Sequence, residues 1–102
     1  MARLRWTPQA IEDIEAVCAY IARDSEYYAR VFAQQIIEKA STLESFPRAG
    51  RVVPESKRED IREILHGNYR IIYRLTDDVV EFLTVHHSAR SLDLFGKLTE
   101  ET

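Results

Sequence analysis

Residues 67–90 read GNYRIIYRLTDDVVEFLTVHHSAR. Two alternating runs flank Thr76-Asp77-Asp78, whose residue types favour a turn. In the first run Tyr69, Ile71, Tyr73 and Leu75 share one face, and Arg70, Ile72 and Arg74 share the other. The second run, Val79 to His87, is rich in β-branched and aromatic residues. Upstream, Ile61 to Leu65 is a further strand, ended by the turn signal His66-Gly67-Asn68. Three strands in close succession predict an antiparallel meander. One face of such a sheet needs an apolar cover.

The N-terminal half supplies that cover. Arg3-Leu4-Arg5-Trp6 alternates and predicts a short strand. Thr7-Pro8 then combines a capping residue with a proline suited to the first helical position. Ile11, Ile14, Val17, Cys18 and Ile21 recur at helical spacing, which predicts a helix from Pro8 to about Arg23. Glu12, Asp13 and Glu15 are expected near its positive end. Asp24-Ser25 breaks the run. Ala29, Phe32, Ala33, Ile36, Ala40 and Leu43 mark a second helix, about Glu26 to Glu44, antiparallel to the first. Phe46-Pro47 ends it, and the loop PRAGRVVPESKRED follows. The tail SLDLFGKLTEET could add one helical turn packed through Leu92 and Phe95. The reading is α+β: an N-terminal strand, a helical hairpin, then a three-stranded meander, with the helices on one sheet face.

Length and composition fit one domain over residues 1–102, at 45% hydrophobic and 30% charged. No apolar run approaches a membrane span, and no secretory h-region is visible. The lone Cys18 falls in the apolar helical pattern and reads as a core thiol, in keeping with a cytoplasmic protein. Net charge is -3, which disfavours strong non-specific nucleic-acid binding. The charge is uneven. Residues 46–76 hold seven basic and four acidic side chains, whereas residues 8–45 hold three basic and seven acidic. A basic island in an acidic chain points either to an anionic partner or to a solvated face.

The chemistry-bearing residues concentrate there and at the last strand's end. Arg70 and Arg74 lie on one face, with Arg62 on a neighbouring strand. They suit bidentate pairing with a partner's carboxylates. The competing reading is charge pairing on the sheet surface with Glu63 or Glu81, which would contribute little. His86 and His87 are candidate acid-base groups. In strict alternation they face opposite ways, so only one can join Arg70 and Arg74. The spacing of histidines and Cys18 disfavours a zinc site, and no cofactor is expected.

The order β-α-α-β-β-β resembles the RelE/ParE superfamily of bacterial type II toxin–antitoxin toxins. The residues carrying the resemblance are Phe46-Pro47 to Gly50-Arg51, Pro54-Glu55, IREILHGNYRIIYRL (Ile61 to Leu75) and VEFLTVHHSAR (Val80 to Arg90). The resemblance implies a small toxin, neutralised by an antitoxin in a hetero-oligomer. It implies one of two activities: blocking DNA gyrase, as in the ParE-like branch, or cleaving mRNA on the ribosome, as in the RelE-like branch. A degenerate, non-toxic antitoxin-binding member is a third reading. For a nuclease the candidate catalytic residues are Arg70, Arg74, His87 and Arg90, with Arg70 matching a charge-stabilising arginine. For docking to antitoxin or target they are Arg51, Arg62, Arg70, Arg74 and Arg90. The segment after the last strand departs from the nuclease pattern, since no Tyr or His follows residue 87. The lysine content near Lys57 and Arg58 is also thin. The resemblance therefore leans to a ParE-like gyrase inhibitor. A groove between hairpin and sheet, rimmed by Tyr28, Phe32 and Ile37, is the expected antitoxin seat.

Overall fold

Thr7 sits where the first strand becomes the first helix. Its hydroxyl accepts a hydrogen bond from the Ala10 N–H at 3.2 Å and donates one to the Phe82 carbonyl at 2.6 Å. One side chain thus caps the helix and ties it to the sheet. The structure, a computed structural model, describes residues 1–88. Strand β1 (Arg3–Trp6) leads into helix α1 (Pro8–Ala22) and helix α2 (Glu26–Ser41), which is capped by the Ser25 hydroxyl. A single 3-10 turn, Thr42–Glu44, extends α2. Four strands follow: β2 (Arg51–Val52), β3 (Ile61–His66), β4 (Tyr69–Thr76) and β5 (Val79–His87).

The α+β reading and the meander β3-β4-β5 stand, but the sheet is larger than three strands. Its order is β1-β5-β4-β3-β2, with β1 parallel to β5 and every other pair antiparallel. Alternation in Arg3 to Trp6 identifies a strand but not its neighbour. That neighbour is set by packing: Trp6 lies opposite Phe82, and their rings stack at 4.0 Å between centroids. Two-residue β2 is too short to show any period. It falls inside the stretch expected to be loop.

The main core lies between the hairpin and one sheet face. Ala10, Phe32, Ile36, Ala40 and Leu43 meet Ile71, Tyr73, Val80, Phe82 and Val85. Phe32 is therefore core rather than groove rim, whereas Tyr28 and Ile37 are exposed. Cys18 packs partly buried against this core, and burial, then Glu15, raises its thiol pKa. That keeps it a thiol, as the core reading expects. Asp13 departs from expectation. It lies beyond the first turn of α1, where no acidic residue stands. Its carboxylate instead accepts from the Thr84 hydroxyl and the Val85 N–H, on the part of β5 that β1 does not reach. A helix side chain thus covers an otherwise open strand edge.

On the opposite face a smaller core forms from Val53, Ile61 and Ile72, with Leu83 against it. The β2–β3 connection closes over it. The loop before β2 is fixed through Tyr73, whose hydroxyl accepts from the Gly50 N–H at 3.0 Å and donates to the Pro47 carbonyl at 2.8 Å. A Cβ at position 50 would stand 2.5 Å from that hydroxyl and 2.7 Å from the Glu63 carbonyl. Close approach of two backbones, not a turn, is what requires glycine there.

Candidate functional site

Residues paired across a sheet share a face. On the face away from the helices, the pairing sets out two polar rows. One places Leu65 of β3, Arg70 of β4 and His86 of β5 side by side. The other places Ile61, Arg74, Glu81 and Arg5 across β3, β4, β5 and β1. Between the rows lie Glu63 and Ile72.

Arg70 is buried, and its guanidinium is held on three nitrogens. Nη1 and Nη2 each donate to a Glu55 oxygen at 2.8 Å, and Nε donates to Glu63 at 2.5 Å. Glu63 has no exposed side-chain area, and its second oxygen accepts from Arg51 Nε at 2.6 Å. Arg51, Glu63, Arg70 and Glu55 thus form one charge-balanced chain from β2 across β3 and β4 to the loop. The expectation of weak surface pairing with Glu63 does not describe this geometry, because Glu63 is fully buried. An open pocket of about 320 Å³ adjoins the network, lined by Arg51, Pro54, Glu55, Leu65, Tyr69 and Arg70 among others.

The Arg70 hydrogen bonds hold the Glu55 carboxyl down to about 2, against an ordinary 4.5. The folded value is depressed, so this contact stabilises the fold above the ordinary carboxylate range. Its contribution is lost as pH falls from about 4.5 towards 2. Urea-unfolding midpoints measured across that window should fall for the native chain, and fall less for Glu55→Gln.

The second row is a separate network. Glu81 accepts from Arg74 at 2.5 Å and faces Arg5 at 3.5 Å. Nearby, Arg58 grips Asp60 in two bonds of 3.0 and 2.8 Å.

A bulge decides which histidine joins Arg70. Ile72 pairs with Thr84 but Tyr73 pairs with Phe82, which leaves Leu83 as an extra residue in β5. Counting by strict alternation from Glu81, the histidine on the Arg70 face would be His87, with Val85 opposite Arg70. The inserted residue shifts the phase, so His86 lies opposite Arg70. His87 lies opposite Tyr69 on the helix side, its ring edge-on at 5.0 Å between centroids. Among the sequence-predicted residues the structure thus gathers Arg51, Arg70 and Arg74 on one face and leaves His87 off it. Arg62 also faces the helices' side, opposite Tyr73, where it donates to the carbonyls of Gly50 and Glu59. Arg90 and the tail residues Leu92 and Phe95 lie outside the described residues. Glu55, Arg5 and Arg58 are members of this face that the sequence did not single out. The only signal for Glu55 was its place in the quoted Pro54-Glu55 pair.

Among the described residues no group of three His, Cys, Asp or Glu side chains is placed to hold a metal ion. No described helix is long and apolar enough to cross a membrane.

Comparison with known proteins places the fold. The chain superposes with a TM-score of 0.70 on a structure of the chromosomal ParDE toxin–antitoxin system from P. aeruginosa, at 21% identity, covering 85% of this chain and 96% of that one. It superposes at 0.57 on the toxin–antitoxin complex RelBE2 from Mycobacterium tuberculosis, at 24% identity, covering 84% and 96%. In sequence it is 30% identical over 90 residues to toxin RelE2 of Caulobacter vibrioides, spanning 88% of this chain and 99% of that toxin. The family described as "ParE toxin of type II toxin-antitoxin system, parDE" matches residues 4–92. With nearly the whole described chain inside that match, this protein belongs to the ParE toxin family of type II toxin–antitoxin systems, within the RelE/ParE superfamily.

Proposed function

We propose that this toxin inhibits DNA gyrase by direct binding, without chemistry of its own, and that a cognate antitoxin neutralises it in a cytoplasmic hetero-oligomer. The observation that carries the reading is the state of Arg70. Stabilising a phosphorane needs a cation whose donors can turn to the developing charge. Three nitrogens of Arg70 are already committed to two carboxylates. Those carboxylates also set a repulsive field against an approaching phosphate. A sheet face built this way suits docking more than RNA cleavage. The antitoxin partner follows from family membership and from the solved neighbours, which are toxin–antitoxin systems.

The test is a supercoiling assay with purified gyrase, relaxed plasmid and ATP. Toxin freed of antitoxin should block supercoiling or accumulate cleaved complex. Protein that arrests growth yet leaves gyrase untouched would overturn the proposal.

One observation favours the second reading, a ribosome-dependent mRNA endonuclease. The β5 bulge sets an acid-base side chain, His86, directly across from Arg70. Cleavage in a purified translation system that Arg70→Ala and His86→Ala abolish, and His87→Ala spares, would establish it.

A further inference from the structure

The chain makes a tight turn on leaving the 3-10 segment. The Ala49 N–H donates to the Phe46 carbonyl at 3.0 Å, and Pro47 stands where a fixed φ suits such a turn. The Tyr73 hydroxyl holds the segment at two points, donating to the Pro47 carbonyl and accepting from the Gly50 N–H. The turn backbone is therefore fixed, yet the Phe46 ring it carries is 68% exposed. One exposed phenylalanine needs no explanation by itself, so its neighbours decide what it does.

Two arginines border the turn. Arg48 belongs to it and is exposed. Arg62, on β3, donates Nη1 to the Gly50 carbonyl at 2.9 Å and Nε to the Glu59 carbonyl at 3.0 Å. Both acceptors are neutral, so they orient the guanidinium without offsetting its charge. Among the described residues no carboxylate pairs with Arg48 or Arg62, whereas Arg51, Arg58 and Arg70 each have one. Burial raises the Tyr73 phenol pKa; the Gly50 hydrogen bond and the positive charges of Arg62 and Arg48 act against it. Both cations are thus felt at the hydroxyl that holds the turn. Val52, half-buried, lies opposite Arg62 across β2 and β3 and extends the surface with apolar area.

We propose that Phe46, Arg48 and Arg62 form a docking surface for an acidic peptide segment of a protein partner, one that carries an apolar side chain between its carboxylates. The surface is separate from the Arg70 face and independent of the gyrase reading. The Phe46 ring covers the partner's apolar side chain, and the flanking carboxylates pair with the two arginines in charge-assisted hydrogen bonds. Aromatic residues and arginine are enriched among the side chains that dominate interface energies. A turn already fixed before binding also has less freedom to lose. Nucleic acid is the weaker occupant, because two cations in a chain of net charge -3 offer few phosphate contacts.

The experiment is an NMR titration of the full-length, isotopically labelled toxin, freed of antitoxin. The probe is a short capped peptide in which leucine is flanked by aspartate and glutamate. Saturable shifts are expected at the Phe46 and Arg48 amides and at the Arg62 Nε–H, and the asparagine–glutamine counterpart of the peptide should cause none. Phe46→Ala should weaken binding about tenfold, as loss of a central anchor does. Arg48→Gln should weaken it about threefold, the worth of an exposed ion pair. The Arg48 side chain makes no hydrogen bond or ion pair among the described residues, so this variant keeps the fold and isolates the contact. Absent shifts, shifts centred on Arg51 or Arg70, or affinity unchanged in both variants would overturn the surface. Tighter binding of a single-stranded oligonucleotide at the same residues would overturn it in favour of nucleic acid. The same shifts on concentrating the chain alone would overturn it in favour of a second copy. Neither gyrase nor antitoxin is present, so this outcome is separable from that of the supercoiling assay.

Discussion

Glu63→Ala should destabilise the protein by about 3–5 kcal/mol, the cost of breaking a buried ion pair from one side. Glu63 is 1% exposed, and both its oxygens accept from arginines. The two arginines would not suffer equally. Arg51 is 59% exposed, so water replaces the lost carboxylate there at little cost. Arg70 is 11% exposed and would keep only Glu55, itself on a loop and 36% exposed. The penalty is thus mostly that of a buried guanidinium with its inner partner gone. The double variant Glu63→Ala with Arg70→Met should recover much of the loss, because it removes the stranded charge and fills the space. Urea unfolding with unchanged slope is the measurement. Equal stability of the single variant and the native chain would show that the network contributes nothing to the fold. No recovery in the double variant would show that Glu63 acts through packing alone.

That network marks the boundary of what the sequence reveals. The alternation of Tyr69 to Leu75 suffices to place Arg70 and Arg74 on one face, because side-chain direction in a strand has a fixed period. It also makes Glu63 and Glu81 eligible partners, one on each flanking strand. It cannot show that Glu63 is fully buried, since that depends on the β2–β3 connection folding back over the sheet. Nor can it place Glu55, whose position depends on a connection with no period to follow. The bulge at Leu83 is the sharpest case. Leu and Thr are ordinary strand residues, and nothing in Phe82-Leu83-Thr84 signals an extra residue. Yet the bulge exchanges His87 for His86 on the Arg70 face and sets it opposite Arg70. A site assembled by counting in twos therefore selects the wrong neighbour beyond any bulge, even when every strand is correctly identified. The helices were more legible, because capping by Thr7 and Ser25 and the apolar stripe of α2 are local. Asp13 was not, since its partners Thr84 and Val85 lie at the far end of the chain.

A comparably long stretch of chain separates Trp6 from Phe82, and the stack between them leads to the other large expected effect. Phe82→Ala should cost about 3–5 kcal/mol, the range for truncating a fully buried aromatic. Phe82 has no exposed area. It stacks on Trp6 at 4.0 Å and lies 6.3 Å from the Tyr73 ring, so its removal opens a cavity between two large rings. Those rings do not move freely to fill it. Trp6 is fixed by the parallel pairing of β1 with β5, and Tyr73 by its hydroxyl bonds to Gly50 and Pro47. Phe82→Leu retains most of the apolar volume and should cost clearly less, though it gives up the aromatic stack, worth about 0.5–1.5 kcal/mol. The distinguishing measurement is hydrogen exchange on β1. If Phe82 holds the parallel strand to the sheet, the β1 amides lose protection in Phe82→Ala beyond the global loss of stability. If β1 is held by its backbone pairing and the Thr7 cap alone, protection falls uniformly across the sheet, and β1 is a passenger of the helix that follows it.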